Sequence, residues 1–63
     1  MIVNRVSKNE FSVAVTTDEL TALGNCLTEV CNGIELFEFE TRVGASREEV
    51  VRMLDKILVA QQA

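Results

Sequence analysis

Residues 16–34 carry apolar side chains at a spacing that fits one face of a single α-helix. The stripe advances in steps of three and four residues and consists of Leu20, Leu23, Leu27, Val30 and Ile34. Thr16 followed by Glu19 predicts a capping box at its start, and Gly33 predicts a left-handed exit at its end. In a chain of 63 residues, this helix needs another element to cover its apolar face.

A second long helix is predicted to begin after Ser46, because Ser46 and Glu49 repeat the capping-box pattern. Its apolar positions are Val50, Met53, Leu54, Ile57 and Leu58, with Val51 at the edge. This arc is about 160° wide, whereas a surface helix needs a stripe of only about 100°. This extra apolar width predicts a homodimer, and we expect the dimer contact at Met53, Ile57 and Leu58.

The N-terminal region is typical of a β-hairpin. Residues 2–7 and 11–16 are β-branched stretches on either side of the polar turn "SKNE". In the second stretch Phe11, Val13 and Val15 alternate with smaller or polar residues and share one face. Because an isolated hairpin is marginally stable in water, we expect this face to lie on the helices.

Residues 34–43, "IELFEFETRV", fit two patterns. With a period of two they form a strand that could pair with the hairpin or with another subunit, and with the helical period they form a short helix. Gly44 directly afterwards favours the helix, since glycine commonly follows a helix end. The expected fold is therefore α+β: one small domain over residues 1–63, with an N-terminal β-hairpin packed on two main helices and a short helix, or a third strand, between them.

Composition argues against catalysis and against metal or cofactor binding. The chain has no histidine, and Cys26 and Cys31 would lie about 140° apart around a helix, too far to share a metal ion. Both are therefore expected to be buried thiols in a reducing compartment. No apolar run approaches the ~20 residues of a membrane span, and the N-terminus has no signal-peptide pattern, which favours the cytoplasm. No small-molecule substrate is indicated.

The stretch "TRVGASREEVVRML" allows a DNA-binding alternative. Residues 36–58 could form a helix-turn-helix that uses Arg42, Arg47 and Arg52. However, the formal charge of −4 and the two glutamates at the start of the second helix would face phosphates unfavourably. A nucleic-acid partner is therefore the less favoured interpretation.

The acidic segment "ELFEFE" is the strongest candidate for contact with another protein. Aromatic side chains among carboxylates suit a basic partner, because the ring supplies apolar contact area and the acids supply charge complementarity. We expect the partner surface to comprise Phe37, Glu38, Glu40 and Arg42. The alternative is that both phenylalanines belong to the core.

Residues 28–50, "TEVCNGIELFEFETRVGASREEV", resemble a pattern found in small bacterial proteins of no established activity. The shared elements are a helix ending in E-V-C-N-G-I, the motif F-E-T-R-x-G, and a short capped helix. Small acidic bacterial proteins of this kind include immunity proteins and antitoxins. The resemblance therefore implies an immunity-type binder of a basic partner, and it transfers no functional residue.

Overall fold

The computed structural model describes residues 1–33 and 35–62 of the chain. Its elements in order are strand β1 (Ile2–Ser7), strand β2 (Glu10–Ala14), helix α1 (Thr17–Thr28), a π-helical turn (Glu29–Gly33), helix α2 (Phe39–Val43) and helix α3 (Arg47–Gln62). The predicted α+β class is confirmed, and so is a helix rather than a strand between the two main helices. Among the described residues, no helix combines the length and apolar character needed to cross a bilayer.

Both main helices begin with the capping boxes predicted from the sequence. The Glu19 N–H donates to Thr16 Oγ1 at 3.1 Å, and the Thr16 N–H donates to the Glu19 carboxylate at 2.9 Å. At α3 the Glu49 N–H donates to Ser46 Oγ at 3.2 Å, and the Ser46 N–H donates to Glu49 Oε1 at 3.1 Å. Each N-cap contributes about 1 kcal/mol to stability.

The hydrogen bonds at these caps also lower the pKa of both glutamates. The N-terminal amine, which lies 2.8 Å from Glu19 Oε2, is the main cause at Glu19, and the Thr16 N–H adds to it. At Glu49 the main cause is the Ser46 N–H, followed by the Ser46 hydroxyl. Since these donors favour the charged carboxylate, the caps are intact when both glutamates are ionised.

Helix α1 ends differently from the expectation. Gly33 does not adopt a left-handed conformation; it closes the π-helical turn, and the left-handed glycine among the described residues is Gly44, with φ 87°. The helical segment does end at Gly33, but the predicted left-handed conformation there is wrong. The widened turn leaves backbone carbonyls that a side chain from elsewhere in the chain reaches.

Helices α1 and α3 pack against each other at Gly24, which is buried. A Cβ at this position would lie 3.6 Å from Ile57 Cγ2 and 3.7 Å from Gln61 Oε1. The Gln61 side chain also donates to the Thr21 hydroxyl at 3.2 Å. The C-terminal half of α3 is therefore held against the middle of α1.

The buried core is small. Its apolar members are Cys31, Val50 and Leu54, which are 6%, 2% and 6% exposed. The stripe predicted on α1 is only half-buried at Leu20, Leu27 and Val30, and it is exposed at Leu23. The last position of the stripe, Ile34, lies outside the described residues.

The hairpin strands pair antiparallel with each other, and all their residues are exposed. Phe11 and Val13 are 52% and 54% exposed, so the expectation that the helices cover this face is wrong at both positions. Only Val15, next to α1, is half-buried. The reason is that α1 and α3 pack mainly on each other, while each strand packs mainly on the other strand.

Candidate interaction site

Phe37 is the most exposed large apolar side chain of the described residues, at 77%. It lies in a turn formed by residues 37–38, directly before α2. A side chain this exposed contributes little to the buried core. It is therefore available to contact another molecule.

Glu38, the next residue, adopts the left-handed conformation with φ 54° and ψ 51°. Among the described residues it is the one non-glycine residue with a positive φ. This conformation costs a residue with a Cβ about 1–2 kcal/mol. The Arg42 N–H donates to the Glu38 carbonyl at 3.1 Å, so the strained residue opens the short helix. Strain retained in a turn that presents an exposed aromatic ring suggests a functional surface.

Arg47 anchors this part of the chain to the end of α1. Its guanidinium lies 4.5 Å from the centroid of the Phe39 ring. The same group donates to the backbone carbonyls of Val30 and Cys31 in the π-helical turn. Phe39 is consequently half-buried. The two phenylalanines of the segment thus have different roles, with Phe39 packed inward and Phe37 exposed.

The four residues predicted for partner contact, Phe37, Glu38, Glu40 and Arg42, are all exposed. They lie on the turn and on the single turn of helix that follows it, and Glu35 nearby is exposed as well. The structure therefore places the predicted residues on one short, acidic surface segment with an aromatic residue, which we call the Phe37 segment (residues 35–42). Whether a partner binds there stays a prediction.

The residues predicted for a dimer contact on α3 do not form one continuous exposed patch. Met53 and Leu58 are 52% and 42% exposed, but they are five positions apart and thus about 140° apart around the helix. Ile57 is half-buried and faces α1 near Gly24. Met53 and Leu58 therefore flank the buried stripe on opposite sides, and the dimer contact stays a prediction.

The arginines of the DNA-binding alternative are not equivalent. Arg47 is engaged by the Phe39 ring and by the carbonyls of the π-helical turn. Arg42 and Arg52 are exposed, and so are Glu48 and Glu49 in the first turn of α3. In this alternative α3 is the recognition helix, and it presents two acids at the end that would meet base edges.

The local sequence missed the role of Arg47 because its carbonyl partners lie 16 and 17 residues away in the chain. The prediction of two buried thiols is wrong for one of them: Cys31 is buried, but Cys26 is exposed. Neither cysteine forms a disulfide. Among residues 1–33 and 35–62, no cluster of three or more potential ligands could hold a metal ion, and no pocket is present.

Comparisons with protein-family models, with curated proteins and with solved structures give no match to this chain. The fold and the surface of the chain itself are therefore the basis for inferring its function.

Proposed function

We propose that this chain is a non-enzymatic bacterial protein that acts in the cytoplasm through protein–protein contact. It binds a basic protein through the Phe37 segment, in the manner of an immunity protein or antitoxin, and it also self-associates. The observation that supports this most strongly is the 77% exposed ring of Phe37 beside the left-handed Glu38.

The Phe37 ring would supply much of the binding free energy. Full burial of a phenylalanine side chain contributes about 1.5–3 kcal/mol, and aromatic side chains near the centre of an interface commonly dominate the affinity. Arg47 holds Phe39, the first residue of the helix that follows, against the end of α1 before binding. Less conformational entropy is then lost when the complex forms.

Charge would select the partner. The chain carries a formal charge of −4, and the Phe37 segment contains Glu35, Glu38 and Glu40 against one base, Arg42. An acidic surface accelerates encounter with a basic one and disfavours acidic competitors. We therefore expect association to slow as salt concentration rises, because these charges are exposed and screened.

The experiment compares the wild-type chain with a Phe37→Ser variant as bait in lysate from the host. The control is Val59→Ser, since Val59 is 67% exposed but lies on α3. We expect the wild type and the control to capture the same basic protein, and the Phe37→Ser variant to lose it. With the purified complex, the variant should raise Kd by about 10- to 100-fold. Equal capture by Phe37→Ser and wild type would refute the proposal.

The DNA-binding alternative is tested by salt titration with duplex DNA. If the proposal is correct, no specific complex forms even at low salt. A complex whose affinity falls steeply with the logarithm of salt concentration would support a small helix-turn-helix regulator. Loss of this complex on replacing Arg42 and Arg52 with alanine would assign the contact to the exposed arginines.

Self-association is supported by the many exposed apolar side chains of the described residues, among them Met53 and Leu58 on α3. Its test is sedimentation equilibrium of the purified chain. We expect a dimer at micromolar to millimolar concentration. A monomer throughout this range would refute self-association, whereas binding through the Phe37 segment would be unaffected.

A further inference from the structure

The hairpin carries the densest group of exposed apolar side chains in the described residues. Six large ones lie within the first 13 positions and are 52–61% exposed: Met1, Ile2, Val3, Val6, Phe11 and Val13. A two-stranded hairpin is marginally stable in water unless another layer covers it. Since its own helices leave these side chains exposed, the hairpin needs cover from outside the chain.

The strand register shows which face of the hairpin needs this cover. Val3 pairs with Val13, and Arg5 pairs with Phe11, so these four side chains share one face, which we call the Val3–Val13 face. The Arg5 guanidinium lies 4.4 Å from the Phe11 ring centroid, and its Nη1 donates to the Lys8 carbonyl at 2.9 Å. The guanidinium therefore lies over the Phe11 ring, whereas Val3 and Val13 stay 56% and 54% exposed.

The opposite face is more polar along its middle. Asn4 pairs with Ser12 there, and the apolar pair of Ile2 with Ala14 lies at the end of the hairpin nearest the helices. Val6, which is also exposed, lies at the register irregularity between Arg5 and Ser7 and is not part of the Val3–Val13 face. A half-buried hairpin places such polar residues toward solvent and its alternating apolar residues toward the contact. The Val3–Val13 face is therefore the one suited to an interface.

The surface area indicates how much contact is missing. A compact folded chain of 7.0 kDa should expose about 4,000 Å², but this chain exposes 5098 Å². Its radius of gyration is 12.8 Å, whereas a compact 63-residue chain should have about 11 Å. The excess of roughly 1,000 Å² is comparable to the ~800 Å² that each partner buries in a standard stable interface.

Charge complementarity indicates that a second copy of the chain covers the Val3–Val13 face. Arg5 and Lys8 against Glu10 give residues 1–14 a formal charge of +1. Residues 17–33 carry Asp18, Glu19 and Glu29, and the six charges of residues 47–62 cancel, so the two main helices with the π-helical turn have −3. A second copy of the chain thus offers an acidic helical layer to a basic, apolar hairpin. A twofold axis makes this contact twice, and a sheet covered by helices is a standard two-layer arrangement.

We propose that the Val3–Val13 face of each hairpin packs on the helical layer of a second copy, forming a twofold homodimer. This inference rests on the self-association proposed above and locates it at the hairpin. The dimer gives each hairpin the second layer that the single chain does not supply. It also leaves the Phe37 segment to a different partner.

Sedimentation equilibrium of the full chain tests this placement with a pair of matched substitutions. Val13→Thr keeps a β-branched side chain but puts a hydroxyl on the Val3–Val13 face, and Ser12→Thr makes the same residue on the opposite face. Because each dimer buries the changed position twice, we expect Val13→Thr to raise Kd by about 100-fold. Ser12→Thr should leave Kd within about threefold. Equal dimerisation of the two variants would overturn the proposal.

A charge reversal tests whether the hairpin meets helices or another hairpin. Lys8→Glu changes the formal charge of residues 1–14 from +1 to −1. Against the acidic helical layer this should weaken the dimer by about tenfold at low salt, and the difference should shrink in high salt. If two hairpins met instead, they would repel each other equally in the wild type (+1 against +1) and in the variant (−1 against −1). An unchanged Kd would therefore overturn the proposed arrangement.

Hydrogen exchange keeps the proposal testable if Val13→Thr does not fold. In the wild type, the amides of β2 should become more protected as the chain concentration rises across the dimer Kd. Protection independent of concentration would overturn the proposal. If the wild type dimerises but only Leu58→Gln weakens the dimer, the placement at the hairpin is wrong and self-association stands. A wild type that stays monomeric refutes both.

Discussion

Replacing Gly24 with alanine should stabilise the protein by about 1–2 kcal/mol. Gly24 lies inside α1, where glycine is about 1 kcal/mol less favourable than alanine. The new Cβ would lie 3.6 Å from Ile57 Cγ2 and 3.7 Å from Gln61 Oε1, which are ordinary van der Waals distances. The methyl group therefore fits between α1 and α3 and can add up to about 0.8 kcal/mol by burial.

Urea unfolding followed by circular dichroism at 222 nm measures this effect. The midpoint should rise while the slope stays unchanged, because the same surface is exposed on unfolding. The melting temperature should rise by about 4–8 °C for each kcal/mol. All variants are compared at one protein concentration, since self-association makes the apparent stability depend on concentration.

Gly44→Ala is the matched control because it makes the same chemical change in a different backbone conformation. Gly44 has φ 87°, and no heavy atom outside its chain neighbours lies within 4 Å of the position of a Cβ. Alanine there meets no steric contact but adopts a left-handed conformation, which costs about 1–2 kcal/mol. The two substitutions should therefore have opposite signs. A Gly24→Ala variant less stable than the wild type would refute the packing described for α1 and α3.

Three further outcomes are expected. Arg47→Gln should lower the free energy of unfolding by about 2 kcal/mol, because the guanidinium loses its contact with the Phe39 ring and its hydrogen bonds. The control Arg52→Gln, on the exposed side of α3, should change the free energy of unfolding by less than about 0.5 kcal/mol. Equal losses of stability in thermal melts would contradict the anchoring role of Arg47. Glu38→Gly should raise stability by about 1 kcal/mol in urea titrations, since glycine relieves the left-handed strain; a destabilised variant would show that the turn is not strained. Because the pKa of Glu49 is lowered in the folded chain, its carboxylate contributes fully to stability above the unfolded-state pKa of about 4.3. This contribution to stability is lost as pH falls through the pKa of Glu49 in the folded state. Glu49→Gln should therefore lose less stability than the wild type between neutral and acid pH, and an equal loss would exclude this cap as a source of acid sensitivity.

The sequence alone determined where the two main helices begin. Each capping box joins residues only three positions apart, Thr16 with Glu19 and Ser46 with Glu49, so the interaction forms within one turn whatever the rest of the chain does. The helix before Gly44 was predictable for the same reason, because the left-handed glycine ends it locally. The alternation of the second strand likewise indicated a hairpin with one apolar face.

Only the tertiary structure decided which apolar side chains are buried. Phe37 and Phe39 are two positions apart and equally apolar, yet Phe39 is held by Arg47 from the following helix while Phe37 stays exposed. The hydrogen bonds from Arg47 to the π-helical turn likewise join residues 16 and 17 positions apart, and no local sequence pattern encodes such a contact.

In the hairpin, too, the sequence determined the pairing of side chains on a face, and the tertiary structure determined their burial. Alternation within β2 specified that Phe11 and Val13 share a face, because neighbouring side chains on a strand point to opposite sides. It did not specify what covers that face, since burial depends on where distant elements pack. Here α1 and α3 pack mainly on each other, and the face of the hairpin is left exposed on the single chain.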